Sequence, residues 1–135
     1  MAIKYKTIML IDDNEIDNLI NQKMIEASGI AETIYTHTGA KSAIELLKNL
    51  EKLDKVSDEV LPDVIFLDID MPLMDGFQFL DEFFKLNDKT QKKCKIIILT
   101  SSINPQDVNK SKNYPNVKNY LNKPLTQAAL EQINI

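Results

Sequence analysis

Three short apolar runs carry no polar alternation, and they predict the central strands of a parallel sheet. They cover residues 8–11, 64–67 and 96–99. Continuous apolar strands of this length are typical of a parallel sheet that is covered by helices on both faces. Two weaker strands are predicted over residues 33–37 and 117–121, which gives five strands in all.

Apolar residues recur at helical spacing between these runs. Three helices are predicted around Ile16, Ala40 and Phe77, a weaker fourth after Pro105, and a short fifth beginning near Thr126. Alternating strands and helices predict an α/β fold. We expect a doubly wound, flavodoxin-like parallel sheet in the order 2-1-3-4-5, with helices on both faces.

One domain accounts for the whole chain. Its 135 residues suit a single hydrophobic core, and we expect residues 1–135 to form one domain without a separate output domain. Residues 51–59 are charged and lack an apolar period, which predicts the frayed end of the second helix followed by a loop.

Composition and charge exclude several classes of function. The net charge is −4, whereas nucleic-acid binding requires a positive footprint, so the local cluster Lys92, Lys93 and Lys95 is interpreted as a solvated basic stretch. The only cysteine, Cys94, permits no intrachain disulfide, fits a reducing compartment and is expected to be buried. No apolar run approaches a membrane span. We therefore expect a cytoplasmic protein that binds neither nucleic acid nor membrane.

Polar residues follow the predicted strands at the points where the strands end. Asp12 and Asp13 follow the first strand, Asp68 the third and Thr100 the fourth, and Lys123 lies two residues beyond the fifth. The carboxyl ends of parallel strands share one edge of the sheet, and ligand sites form at that edge where the strand order reverses. We therefore expect these five side chains to converge.

Three neighbouring carboxylates repel one another, so their convergence predicts a bound cation. Mg²⁺ suits such a site because it takes oxygen ligands, keeps several waters and often shares a phosphate oxygen. Lys123 supplies a positive charge and Thr100 a hydroxyl donor for a phosphoryl group. These groups together can stabilise a phosphoryl group in transfer.

The same residues resemble a known family. The chain is similar, over nearly its full length, to the stand-alone receiver domains of bacterial two-component response regulators. The most specific stretch is Asp68-Ile69-Asp70-Met71-Pro72-Leu73-Met74-Asp75-Gly76, which looks like the phosphoacceptor loop of that family. The pairs Asp12-Asp13, Thr100-Ser101 and Lys123-Pro124 follow the order of the family at suitable spacings.

The resemblance implies roles for the acidic residues. Asp68 matches the aspartate that accepts the phosphoryl group. Asp13 matches the residue that binds Mg²⁺ directly, and Asp12 matches the one that usually acts through a bound water. Asp70 matches the position whose backbone carbonyl completes the metal site.

The resemblance also implies a switch. Thr100 matches the hydroxyl residue that moves onto the phosphoryl group, and Lys123 matches the lysine that pairs with it, before a typically cis bond to proline. Tyr120 matches the aromatic residue whose ring turns inward when Thr100 moves. The face formed by the fourth helix, fifth strand and fifth helix is then expected to change shape.

Partners follow from the same resemblance. The implied donor is a phosphohistidine on a sensor histidine kinase or a phosphotransfer protein, and the downstream protein is not named by the sequence. Dimerisation through the face that runs from the fourth helix to the fifth helix stays open. So does the choice between a signalling role and a sink for phosphoryl groups, and neither role makes the chain an enzyme.

Other functions compete with this interpretation. The stretch Phe66-Leu67-Asp68-Ile69-Asp70 also looks like the first motif of haloacid-dehalogenase-type phosphatases, although the early acidic pair and Met71-Pro72 depart from their pattern. A pseudo-receiver that only binds partners is a second alternative. A flavodoxin-like cofactor binder is disfavoured, because the first loop is acidic and lacks glycine. Asp12 and Asp13 have the simpler alternative of capping the first helix.

Overall fold

A single parallel sheet forms the centre of the molecule, in the order β2-β1-β3-β4-β5 that the sequence predicts. The computed structural model describes residues 3–53 and 60–133. The strand order and the flanking helices are those of a flavodoxin-like fold, which confirms the predicted fold class. The strands are β1 (Tyr5–Ile11), β2 (Ala31–His37), β3 (Val64–Leu67), β4 (Lys95–Thr100) and β5 (Val117–Asn122).

The helices cover both faces of this sheet. They are α1 (Glu15–Ser28), α2 (Ala40–Glu51), α3 (Gly76–Phe83), α4 (Asp88–Lys93), α5 (Pro105–Ser111) and α6 (Gln127–Gln132). The predicted fourth and fifth helices are thus α5 and α6. Residues 54–59, most of the stretch predicted as a frayed end and loop, lie outside the described residues. Over the two described ranges, no helix is long and apolar enough to cross a membrane.

Burial on both faces explains why the central strands are continuously apolar. In β1, Met9 and Ile11 pack with α2 and α3, whereas Ile8 and Leu10 pack with α1 and α6 on the opposite face. All four side chains are at most 2% exposed. Each such side chain contributes about 1.5–3 kcal/mol through burial, which gives the sheet a rigid centre.

The first helix has the predicted position but buries an unexpected face. Ile16, Leu19 and Ile20, which mark its apolar spacing, are 68%, 54% and 44% exposed. The buried positions include Asn18, whose side-chain amide donates to the backbone carbonyls of Asp12 and His37. The helix therefore packs partly through polar anchors and leaves apolar side chains in solvent.

Helix α4 is an element that the apolar pattern does not predict, because its sequence DKTQKK has no apolar residue. Caps hold it instead. Glu51 accepts hydrogen bonds from the N–H of Asn87 (2.8 Å) and the hydroxyl of Thr90 (2.7 Å). Lys93 at its end is half-buried and pairs with Asp63, so the interpretation of this lysine as part of a solvated stretch is wrong.

Candidate functional site

Strand register places the candidate residues side by side. Ile11 of β1 is paired with Leu67 of β3, so the residues that follow, Asp12 and Asp68, leave the sheet at the same level. The N–H of Asp68 donates to the carbonyl of Ile11 at 2.9 Å, which extends the ladder into the loop. The first and third strands are neighbours only because the chain order reverses here, and that makes a crevice at this edge.

Three carboxylates meet in this crevice. Oxygen atoms of Asp12, Asp13 and Asp68 lie within 4.8 Å of one another. Asp12 and Asp68 are each 4% exposed, whereas Asp13 faces solvent. An all-oxygen donor set that is open on one side fits Mg²⁺, which completes its shell with water. The structure thus brings together the three acidic side chains that the sequence singles out.

Tight turns aim the two buried carboxylates. Asp12 Oδ1 accepts from the backbone N–H of Asn14 at 2.9 Å, and Asp68 Oδ1 accepts from that of Asp70 at 3.1 Å. Each aspartate thereby closes a turn by accepting from the N–H two residues further along the chain. The other oxygen of each carboxylate is left to face Lys123.

Lys123 is the cation of the site. Its Nζ lies 2.5 Å from Asp12 Oδ2, 2.9 Å from Asp17 Oδ2 and 3.0 Å from Asp68 Oδ2. The Lys123–Pro124 peptide bond is cis, as the resemblance implies. Burial disfavours the ammonium, but its hydrogen bonds to the carboxylates outweigh that effect and raise the pKa of Lys123 above its ordinary value.

Asp17 is the member of this cluster that the sequence does not single out. It stands in the first turn of α1 and is separated from Lys123 by more than a hundred residues. Its one local signal is its place in the first turn of the helix that begins directly after the acidic pair. Only the folded chain shows that it meets Lys123.

The pKa values of two acids in the pocket reflect its burial and its excess of negative charge. Burial raises the pKa of Asp12, and the neighbouring Asp68 adds to that rise against the hydrogen bond from Lys123. Burial likewise raises the pKa of Asp70, with contributions from Asp68 and Asp107. One ammonium therefore does not neutralise the pocket, which is an environment that attracts a further cation.

The candidate switch residues lie on the neighbouring loop. Thr100 is fully buried, and its hydroxyl oxygen accepts from the N–H of Ser102 at 3.2 Å. The Tyr120 hydroxyl donates to the carbonyl of Ser102 at 3.1 Å, and the Asn122 amide donates to the same carbonyl at 2.9 Å. Burial raises the pKa of Tyr120. Two side chains of β5 thus hold the loop that follows Thr100.

A glycine closes the loop that follows Asp68. A Cβ atom on Gly76 would lie 2.6 Å from Ile69 Cα and 2.7 Å from the carbonyl oxygen of Asp68. Helix α3 begins at this glycine and is capped by Asp75 through a capping box with Gln78. Asp75 and Gly76 therefore form a turn and the start of α3.

The simpler interpretation of Asp12 and Asp13 as helix caps is wrong. The N-cap of α1 is Asn14, whose side chain accepts from the N–H groups of Ile16 and Asp17. Neither aspartate is needed to start the helix. Their carboxylates lie in the crevice with that of Asp68 instead.

Similarity to known proteins agrees with this geometry. Residues 8–134 match the family model of the response regulator receiver domain. The chain belongs to that family. A structure of a two component response regulator from Cytophaga hutchinsonii is 31% identical, covers 95% of this chain and 92% of its own, and superposes with a TM-score of 0.84.

Two further relatives place the family in signalling. The sensor histidine kinase CheAY of Helicobacter pylori is 34% identical over 74% of this chain, which spans only 11% of that kinase. The phosphorylated cyanobacterial phytochrome response regulator RcpA is 25% identical, with 95% of this chain and 87% of that chain covered and a TM-score of 0.73. The receiver family serves phosphorelay signalling, and none of these similarities supports the phosphatase alternative.

Proposed function

We propose that this receiver domain accepts one phosphoryl group on Asp68 from a phosphohistidine donor and relays the signal by a change of shape. The observation that carries the proposal is the convergence of Asp12, Asp13 and Asp68 around Lys123 at one edge of the sheet. The donor is a sensor histidine kinase or a phosphotransfer protein. The protein acts in the cytoplasm as a stoichiometric acceptor and not as a multiple-turnover enzyme.

The carboxylates of Asp12, Asp13 and Asp68, with the backbone carbonyl of Asp70, would hold Mg²⁺. When bound, this ion neutralises charge on the phosphoryl oxygens. The described geometry supports the assignment for the three side chains, because their oxygens cluster within 4.8 Å.

Asp68 is the nucleophile of this proposal. Its carboxylate oxygen attacks phosphorus, a new O–P bond forms, and the bond from phosphorus to the donor breaks so that the donor leaves with its electron pair. Lys123 Nζ, already 3.0 Å from Asp68 Oδ2, pairs with the phosphoryl oxygens that arrive beside it. Low exposure of both side chains keeps competing water away from the reacting oxygen.

In this proposal, phosphorylation changes the conformation of the loop that Tyr120 and Asn122 hold. The Thr100 hydroxyl turns to the phosphoryl group, Tyr120 leaves the carbonyl of Ser102 and moves inward, and the α5–β5–α6 face changes. That face binds the downstream protein or a second copy of the chain. The phosphorylated state of RcpA supports the acceptor step of this cycle, since the two chains share the fold.

Phosphorylation by a small-molecule donor, called labelling below, tests directly whether Asp68 is the acceptor. The wild-type chain, treated with acetyl phosphate and Mg²⁺, is expected to gain the mass of one phosphoryl group, whereas Asp68→Asn gains none because an amide is not a nucleophile here. Intact-mass spectrometry measures both. Asp88→Asn, an exposed carboxylate on α4, is the matched control and should label fully.

Two outcomes would overturn this assignment. Full labelling of Asp68→Asn would move the acceptor elsewhere, and failure of the wild-type chain to label would favour a pseudo-receiver. Thr100→Ala separates chemistry from the switch, since it should label within about threefold of the wild-type rate while losing the change at the α5–β5–α6 face, measured by amide chemical shifts.

A further inference from the structure

Asp17 is a carboxylate of the site that the function proposed above does not use. Its Oδ2 lies 2.9 Å from Lys123 Nζ, and its side chain is 33% exposed, against 5% for Asp12 and Asp68. Asn14 fixes the backbone at this point, because its side-chain oxygen accepts from the N–H of Asp17 at 3.1 Å. The carboxylate thus stands on a capped helix turn beside the lysine.

The three donors of the Lys123 ammonium face three carboxylates, those of Asp12, Asp17 and Asp68. Two of these carboxylates, but not that of Asp17, belong to the cluster that could hold a cation. A divalent cation at that cluster therefore competes with the ammonium for the oxygens of Asp12 and Asp68. It does not compete for Asp17.

Lys123 cannot lose its partners without a penalty. Its side chain is only 12% exposed, and a largely buried charge without a counter-ion is strongly unfavourable. An acidic partner at the rim of the pocket reduces that penalty, because the ammonium keeps one ion pair when the inner carboxylates turn to the cation. Asp17 has the position and the solvent contact for this role.

We infer that Asp17 is a positioning residue for Lys123, the carboxylate that retains the ammonium when a divalent cation takes the oxygens of Asp12 and Asp68. The inference rests on the function proposed above and adds a residue to it. It makes the affinity of the site for a cation depend on a side chain that is not itself a metal ligand.

A double-mutant cycle tests this role through Mg²⁺ binding alone. The Mg²⁺ dissociation constant is measured from amide chemical shifts for the wild-type chain, Asp17→Asn, Lys123→Met and the double variant. Asp17→Asn is expected to weaken binding about three- to fivefold in the wild-type background. In the Lys123→Met background it should change binding by less than about 1.5-fold, since no ammonium remains to be retained.

Glu15→Gln is the matched control. Glu15 is an exposed acid of the same first turn, so its loss removes the same charge and should change the dissociation constant by less than about 1.5-fold. Equal weakening by Asp17→Asn in both backgrounds would overturn the inference, because Asp17 would then attract the cation directly. Urea unfolding of each variant confirms that the chains are folded. Asp17→Ala serves as a second substitution of the same side chain.

Failure of this inference is distinguishable from failure of the proposed function. A wild-type chain that shows no saturable Mg²⁺ shifts around Asp12, Asp13 and Asp68, and takes no phosphoryl group, contradicts the proposed function. If the wild-type chain binds Mg²⁺ and takes a phosphoryl group, and the Mg²⁺ titration curve of Asp17→Asn coincides with its own, the result contradicts the role of Asp17 only.

Discussion

The two edges of the sheet both pair aspartate with lysine, but they balance the charges differently. At the amino edge, Asp63 accepts from the backbone N–H groups of Lys6 (2.8 Å) and Thr7 (3.3 Å) and pairs with Lys93. Burial favours the neutral acid, yet these donors outweigh it and lower the pKa of Asp63. One carboxylate therefore has a full set of partners, and it ties α4 to β1.

At the carboxyl edge, one ammonium serves three carboxylates, and the pKa of Asp12 is raised by burial and by Asp68. An edge built only for stability would match its charges, as the amino edge does. The difference teaches that unbalanced charge points to the edge where we propose that a ligand binds, since proteins break such rules mainly at functional positions.

We expect the carboxyl edge, where the strands end, to tolerate a larger side chain least. Gly76→Ala places a Cβ atom 2.6 Å from Ile69 Cα, and backbone atoms cannot rotate away, so we expect a loss of about 3 kcal/mol in the free energy of unfolding. Gly39→Ala is the control, because its Cβ would meet nothing nearer than Ser42 Oγ at 4.0 Å. It should stay within about 1 kcal/mol of wild type. Equal urea midpoints for the two variants would contradict the close approach.

The amino edge is expected to lose stability when its charge is removed. Asp63→Ala should lower the free energy of unfolding by about 2 kcal/mol at neutral pH, because three donors lose their acceptor. Since the folded pKa of Asp63 is lowered, its contribution is present above the unfolded value of about 4 and fades as the pH falls through the folded value.

Urea unfolding at a series of pH values measures this effect. The difference between wild type and Asp63→Ala should shrink as the pH falls below about 4. Glu32→Ala, an exposed acid on β2, should change little at any pH. A difference for Asp63→Ala that does not vary with pH would be evidence against the charged network.

The carboxyl edge should respond least to the loss of a charge. Asp12→Asn removes a buried carboxylate that Asp68 repels, while Lys123 keeps Asp17 and Asp68 as partners. We expect a change of at most about 1 kcal/mol, toward greater stability, in buffer that contains a chelator. Urea unfolding of Asp12→Asn and of Asp63→Ala provides the comparison. An equally large loss in the free energy of unfolding in both variants would show that the two edges do not differ.

Much of this molecule follows from local sequence patterns. The apolar runs predict the buried strands because a strand covered on both faces has no polar position. The polar residues after Ile11, Leu67 and Leu99 lie at the carboxyl edge because the apolar runs end there. Helix α1 shows the limit of such patterns. Its spacing predicts the helix, but Ile16 and Leu19 are exposed, since the side-chain amide of Asn18 determines part of the buried face.

The sequence by itself determined the buried strands and the polar residues at their ends, Asp12, Asp13 and Asp68 among them, because apolar runs and the residues that follow them are local properties of the chain. The strand order followed from the general rules for doubly wound folds, and the receiver family from the resemblance of the motifs. Only the tertiary structure decided that Asp17 shares Lys123 with Asp12 and Asp68, and that Lys93 closes the network of Asp63. These contacts join residues that are distant in the chain, so they depend on strand register and on where each helix begins. No local pattern encodes which of several acids a given ammonium will meet.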